Sequence, residues 1–389
     1  MNKLRFTTTG ESHGPALCGV IEGIPANLHL SAADINRDLA RRQKGYGRGG
    51  RMKIETDAAR ILSGVRWGKT LGGPIALLIE NRDWKNWEHG MSPDADNAGS
   101  IPAVTKPRPG HADLVGAIKY DHYDARNVLE RSSARETAMR VALGAIAKRF
   151  LDEFGITITS FVRGIGPAHL DQSFDTTDNA AMFERAEDSD VRCPDGQTAS
   201  AMRREIDRAI EGGYSLGGIF DVVAAGVPPG LGDFTQWDRR LNSRLAAALM
   251  GVQAIKGVEV GIGFEAGRRP GPEVMDEIFY GENGYSRATN RSGGIEGGMS
   301  NGMPIVLRAA MKPIPTQRRP LASVDMISHE PVSAAYERSD VCAVPAAAVV
   351  CEAMAALVIA DEMLVKFGGD SIAEISRNIR GWLDYIKTR

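Results

Sequence analysis

Residues 106–137 read KPRPGHADLVGAIKYDHYDARNVLERSSARET. Arg108, Arg126, Arg131 and Arg135, two histidines (His111 and His122) and the adjacent Ser132 and Ser133 crowd between apolar runs. Such a density of polar groups suits a site better than a plain solvated face. Pro107 and Pro109 fix their own φ and push the residues before them toward extended geometry. Residues 107–113 therefore form a stiff loop that presents Arg108 and His111. Further on, Ser133 and Glu136 stand at the capping-box spacing, and AMRVALGAIAKRFLDEF follows with apolar residues at helical intervals. The spacing predicts a helix start there. A helix N-terminus flanked by Arg131 and Arg135, with serine hydroxyls, is a seat for a phosphate group. A capped helix with surface arginines reads the same way.

Working outward, LRFTTTG at 4–10 and PALCGVIEGIP at 15–25 read as strands around the turn 10–14. Ser31 is an N-cap candidate for the helix ADINRDLARRQ, which ends in Arg41 and Arg42. ARILSGVRWG and PIALLIEN read as further strands, residues 82–105 as polar and irregular, and 151–200 as short apolar runs between acidic loops. The second half repeats part of the first. Gly23-Ile24-Pro25, at a strand end before a helix, has a counterpart in Gly226-Val227-Pro228, which precedes RRLNSRLAAALMGVQAI. Gly73-Pro74-Ile75 resembles Gly302-Met303-Pro304-Ile305. Two weak matches in the same order suggest a duplicated unit with a pseudo-two-fold relation. Strands at hairpin-like spacing, followed by helices, point to an α+β fold with antiparallel sheets.

Composition sets bounds. The 389 residues carry a formal net charge of −2, with 43% hydrophobic and 25% charged residues. A globular chain fits these values, and bulk attraction to nucleic acid does not. Cys18, Cys193, Cys342 and Cys351 show no metal-site spacing and read as reduced thiols of a cytosolic protein. The N-terminus has no signal-peptide pattern. The apolar run 343–360 is broken by Pro345 and Glu352, so a buried helix or subunit contact is favoured over a membrane span.

Four further segments carry chemistry. Gly10-Glu11-Ser12-His13-Gly14 matches the nucleophile-elbow pattern of serine hydrolases, but Pro15 and a strand follow where that motif needs a helix. His13 in this turn suits proton donation to an anionic leaving group. Arg42, Arg48 and Arg51 border a glycine-rich segment, 44–53, whose guanidinium groups could clamp phosphate or carboxylate. That segment has little apolar content, so it is expected to be mobile without a ligand. An RNA-binding loop is the rival reading, disfavoured by the net charge. Residues 290–302 form a second glycine-rich loop, Lys312-Pro313-Ile314-Pro315-Thr316 is rigid, and Arg338 and Asp340 share a side in extended geometry. Together these segments describe a site for one or two multiply anionic small molecules.

GESHG, GYGRGGRMKIE, RPGHAD, RSSARETAMRVA, GVQAIKGVE, GGIEGGMSNG, MKPIPT and ERSD occur in this order from residue 10 to residue 340. On these motifs the sequence closely resembles the chorismate synthase family. The resemblance implies a lyase that converts 5-enolpyruvylshikimate 3-phosphate to chorismate by 1,4-anti elimination of phosphate, using reduced FMN without net redox change. It implies a β-α-β sandwich with a helical layer between antiparallel sheets, one unit spanning 1–389, and a cytoplasmic homotetramer with no nucleic-acid or membrane partner. Carried over residue by residue, Arg42, Arg48, Arg51, Arg108, Arg135 and Arg338 would bind the substrate's anionic groups. Arg42 and Arg48 are also positions attached to NADPH, an indirect reductant. Arg131, Ser132, Ser133, Gln253, Ala254, Gly297, Lys312, Pro313, Ile314, Pro315, Thr316 and Arg338 would contact FMN. His13 would protonate the departing phosphate and His111 would hold a proton near flavin N1. Asp340, with Ser12, would assist removal of the C6 proton. The variable segments, about 82–105 and 165–215, put none of these catalytic positions in doubt, and the sequence does not give their role.

Overall fold

Among the residues described by the computed structural model (3–49, 56–171, 180–281, 284–336 and 340–389), two antiparallel sheets face each other across a layer of helices. The first sheet runs in the order Arg5–Thr9, Ala16–Glu22, Ile75–Glu80, Ala59–Ile61. Its residues alternate as a half-buried strand requires: Leu17, Gly19 and Ile21 turn inward, while Val20 and Glu22 face out. The second sheet runs Thr157–Ile165, Gly218–Ala225, Ile305–Met311, Ile255–Val260, with Ala168–His169 added at one edge. In both sheets the spatial order is first, second, fourth, third strand of that half. The two short sequence matches fall at equivalent places. Each Gly-x-Pro closes the second strand of its half, and each Gly-Pro-rich turn opens the strand that pairs with it. The pseudo-two-fold relation is therefore carried by topology as well as by sequence.

The helices are α1 (Ala32–Gln43), α2 (Asp113–Tyr120), α3 (Arg126–Ser132), α4 (Thr137–Asp152), α5 (Ala180–Asp188), α6 (Gly196–Gly212), α7 (Leu241–Met250), α8 (Val344–Phe367) and α9 (Ile372–Lys387). Helices α1 and α4 of the first half correspond to α7 and α8 of the second. Ser31 caps α1 in a complete capping box with Asp34, and Arg41 and Arg42 sit in its last turn, where cations complement the helix dipole. The central pair α4 and α8 packs closely because position 144 is glycine: a Cβ there would meet the Ala353 Cβ at 2.4 Å. Every residue of α8 except Val365 and Lys366 is buried. Glu352, fully buried near the middle of α8, is met by Arg41 of α1 at 2.7 Å, Lys148 of α4 at 2.9 Å and Arg192 at 3.2 Å. No helix among the described residues is long and apolar enough to cross a membrane.

Several expectations need correction. Ser133 caps a single 3-10 turn, Ala134–Glu136, and α4 starts at Thr137. The capping box does not close, because Glu136 turns instead to Arg140 and Gln253, each at 2.7 Å. A charge-assisted bond to a guanidinium outweighs a bond back to a backbone N–H. The stretch 114–132 forms α2 and α3, and 151–200 holds the long strand Thr157–Ile165, α5 and the start of α6. The glycine-rich segment is anchored as far as it is described. Tyr46 donates its hydroxyl to Asp207 at 2.7 Å, and Gly47 O accepts from Val341 N at 2.9 Å. Residues 50–55, with Arg51, lie outside the described residues, as do Arg338 and its neighbours at 337 and 339.

Candidate active site

Corresponding ends of the two halves meet around one cavity of about 740 Å³. That lies in the upper part of the usual range for small-molecule sites. The C-terminal ends of α1 and α7 deliver Arg42 and Arg48 on one side, Gln253 and Ala254 on the other. The segments after the equivalent strands Ile75–Glu80 and Ile305–Met311 deliver Asp83 and Trp87, and Lys312, Ile314, Pro315 and Thr316. The approaches to α4 and α8 deliver Ser132, Ser133 and Arg135, and Asp340. Ser12, His13, Arg108 and His111 complete the wall. The first half thus contributes most of the guanidinium groups, and the second half a more neutral, proline-stiffened surface.

Each side chain is held by a local reason. The turn bearing Ser12 and His13 needs Gly10, whose φ is +102° and whose hypothetical Cβ would lie 2.4 Å from Ala16 O. Asn81 clasps this turn, donating to Glu11 O at 3.1 Å and Gly14 O at 2.7 Å, while its own oxygen accepts from Arg135 Nε at 3.0 Å. Arg135 reaches Asp57 at 2.5 Å, and Arg42 donates to Thr137 Oγ1 at 3.0 Å and Ala134 O at 2.9 Å. Arg48 ion-pairs Asp340 at 3.2 Å, and the other Asp340 oxygen accepts from Gly49 N at 2.7 Å. A strand follows the turn at 10–14, so it is a β-turn and not a nucleophile elbow.

Both histidines are gripped at Nδ1 by buried acids. His13 Nδ1 lies 2.8 Å from Glu130, and its ring stacks on Trp87 at 4.2 Å between centroids. His111 Nδ1 lies 2.5 Å from Asp113, which also takes Arg108 Nε at 2.8 Å. Burial alone would raise the carboxyl pKa of Asp113; hydrogen bonds from His111 and Arg108 hold it well below the usual carboxylate range. Glu130 is likewise lowered against its burial, by His13 and Arg126. Burial, together with the nearby charges of Arg48 and Arg135, pushes Arg42 down to about 10 against the pull of Asp57. Arg42 stays cationic at neutral pH, and an anion in the cavity would relieve the repulsion among these guanidinium groups.

Of the residues expected from sequence, Ser12, His13, Arg42, Arg48, Arg108, His111, Ser132, Ser133, Arg135, Gln253, Ala254, Lys312, Ile314, Pro315, Thr316 and Asp340 line this cavity. Arg131, Gly297 and Pro313 are not among its lining residues. Arg131 instead ties α3 to the first strand, donating to Thr8 O at 2.8 Å and Gly10 O at 3.1 Å. Sequence reasoning missed Asp57, Asn81, Glu130 and Asp113, which hold the lining residues. It also missed Asp83 and Trp87, within a segment read only as polar and irregular. The residues fit a flavin in one telling respect. Gln253 Oε1 is a buried acceptor with no donor among the described residues, beside Ala254, whose φ of +67° is strained for a residue with a Cβ. A planar ring edge carrying an N–H would satisfy that oxygen.

Fold and site define an α+β protein with a chamber lined by Arg42, Arg48, Arg108 and Arg135 together with His13 and His111. The family model for chorismate synthase matches residues 4–364, and the chain belongs to the chorismate synthase family, whose members are carbon–oxygen lyases. It is 56% identical over 387 residues to the chorismate synthase of Syntrophotalea carbinolica, covering 100% of both chains. It is 56% identical over 392 residues to that of Geobacter sulfurreducens, covering 99% of each. It is 55% identical over 392 residues to that of Aquifex aeolicus, covering 99% of this chain and 98% of the other. A solved crystal structure of a chorismate synthase superposes with a TM-score of 0.82 at 46% identity, with 100% of both chains covered.

Proposed function

We propose that the chain eliminates phosphate from 5-enolpyruvylshikimate 3-phosphate to give chorismate, with reduced FMN bound in the same cavity. The observation that carries this reading is the gathering of Arg42, Arg48, Arg108, Arg135 and Lys312 with His13 and His111 around one chamber. The substrate bears a phosphate and two carboxylates, and preorganised guanidinium groups stabilise such charge where it develops.

The reaction breaks the C3–O bond and a C6–H bond and leaves a new double bond. Arg42, Arg48 and Arg135, held by Thr137, Asp340 and Asp57, would fix the substrate's anionic groups. His13 would give its proton to the departing phosphate, and His111 would hold one beside flavin N1. Reduced flavin, when bound, would supply electron density for C–O cleavage and basicity for removal of the C6 proton. Asp340 and Ser12, both on the wall, would assist that removal. Gln253, Ala254, Lys312 and residues 314–316 would seat the ring, with Ser132 and Ser133 beside them. Arg51, Arg338, Arg131, Gly297 and Pro313 remain assigned by resemblance. NADPH would serve from outside as the reductant of the flavin.

The chain would act as one unit over 1–389, as a homotetramer in the cytoplasm. Exposed apolar side chains such as Trp67, Val115, Ile118 and Trp237 support burial against other copies. An anaerobic assay with reduced FMN and the phosphorylated substrate tests the reaction. Equal release of phosphate and chorismate, with the flavin still reduced, is expected. Absence of phosphate release would overturn the reading.

A further inference from the structure

The acid beneath His13 does more than neutralise charge. Glu130 lies on α3 with its side chain 1% exposed. Its Oε2 accepts the His13 backbone N–H at 2.8 Å, and ring Nδ1 lies 2.8 Å from Oε1 and 3.0 Å from Oε2. Arg126 braces the same carboxylate at 3.3 Å and sits 5.0 Å from the centroid of Trp87, which stacks on the histidine ring. An ionised carboxylate only accepts hydrogen bonds. Nδ1 must therefore carry a hydrogen, and the nitrogen that gains and loses a proton at a ligand is Nε2.

We infer that Glu130 is the positioning residue of the proton donor: it locks His13 with Nδ1–H toward α3 and stabilises the imidazolium, so that Nε2 delivers the proton to the leaving phosphate. This rests on the proposed role of His13. Among the described residues, the other charges around the ring include Glu11 in its own turn, Asp83 beyond the Ile75–Glu80 strand, Arg126 on α3, and the cavity residues Arg42, Arg48, Arg108, His111, Arg135, Lys312 and Asp340. Among the described residues Glu130 is the acid hydrogen-bonded to the imidazole, so its removal outweighs rearrangement of the rest.

Glu130→Gln keeps the shape and an acceptor for the His13 N–H but deletes the charge. Turnover by a general acid is lost as pH rises through its titration. Without the carboxylate, the alkaline limb of kcat should move to lower pH by about one to three units. At pH 8 the variant should turn over about ten- to a hundredfold more slowly, recovering toward pH 6, with KM changed much less. Glu130→Asp retains the charge and should keep the limb at its wild-type position while lowering kcat. A second readout needs no turnover. Imidazolium quenches tryptophan emission on contact, so the emission attributable to Trp87, taken by difference from Trp87→Phe, should titrate with His13 in the ligand-free protein. Its midpoint should shift down in Glu130→Gln. An unmoved limb and midpoint, a loss uniform across pH, or an Asp variant behaving like Gln would each overturn the inference. A wild-type protein that releases no phosphate would overturn the functional reading instead, with the Trp87 midpoint still deciding the role of Glu130.

Discussion

At the residue scale the site is a set of cations and proton carriers whose positions are over-determined. His13 and His111 come from separate stiff loops yet line one cavity. Replacing either by alanine should lower turnover by roughly ten- to ten-thousandfold, the range for acid–base groups, with substrate affinity changed much less. Steady-state kinetics on the two variants decide it, and near-normal turnover in both would remove the assignment. The histidines and most arginines were legible in the sequence because glycine and proline around them announce shaped loops. Their holders were not. Glu130 and Asp113 stand among other acids in a polar stretch, and nothing local distinguishes a buried carboxylate from a solvated one. Asp57 and Asn81 act through contacts with residues distant in sequence, Arg135 above all, which no local spacing encodes.

Among the elements, α8 was the most legible and the most informative. Its apolar run is wider than one amphipathic face needs, and the helix is buried on all sides. Its amides should be among the slowest to exchange with deuterium, and rapid exchange there would contradict the packing. Glu352 at its middle is held well below the usual carboxylate range: burial raises it, but the charges of Arg41, Lys148 and Arg192 lower it further. A carboxylate depressed in the folded state adds stability that is fully present above its unfolded value of about 4.3 and lost as pH falls below it. Stability to urea should therefore be level from pH 6 to 8 and fall below about pH 4. Glu352→Ala should cost up to about 3–5 kcal/mol at neutral pH, because it removes the buried carboxylate shared by Arg41, Lys148 and Arg192 and leaves only Asp38 and Glu187 against them among the described residues. It should also flatten the acid limb, and a variant whose limb matches the parent's would contradict that role. Gly144→Val should destabilise too, by prising α4 from α8. Other elements were hidden from sequence reading for physical reasons. Helices α2 and α3 are too short to show a period, and the Thr157–Ile165 strand is buried on much of both faces, which erases alternation.

For the whole molecule, the duplication would let a single cavity serve the two ligands of the proposed function. Equivalent ends of α1 and α7, of two strands and of α4 and α8 converge on it, so one architectural position was available twice. On the proposed reading the arginine-bearing half would take the substrate and the more neutral half the flavin. The exposed apolar side chains outside the cavity fit assembly, and sedimentation should give four times the 41.9 kDa chain mass. A single-chain mass at working concentration would contradict the tetramer. The shared cavity itself is tested by the absorbance of bound FMN. Adding the phosphorylated substrate to the protein–FMN complex should perturb the flavin spectrum, because both lie against the same wall. Arg135→Ala should abolish that perturbation at the same substrate concentration while FMN alone still binds. A flavin spectrum indifferent to saturating substrate in the parent protein would contradict the account.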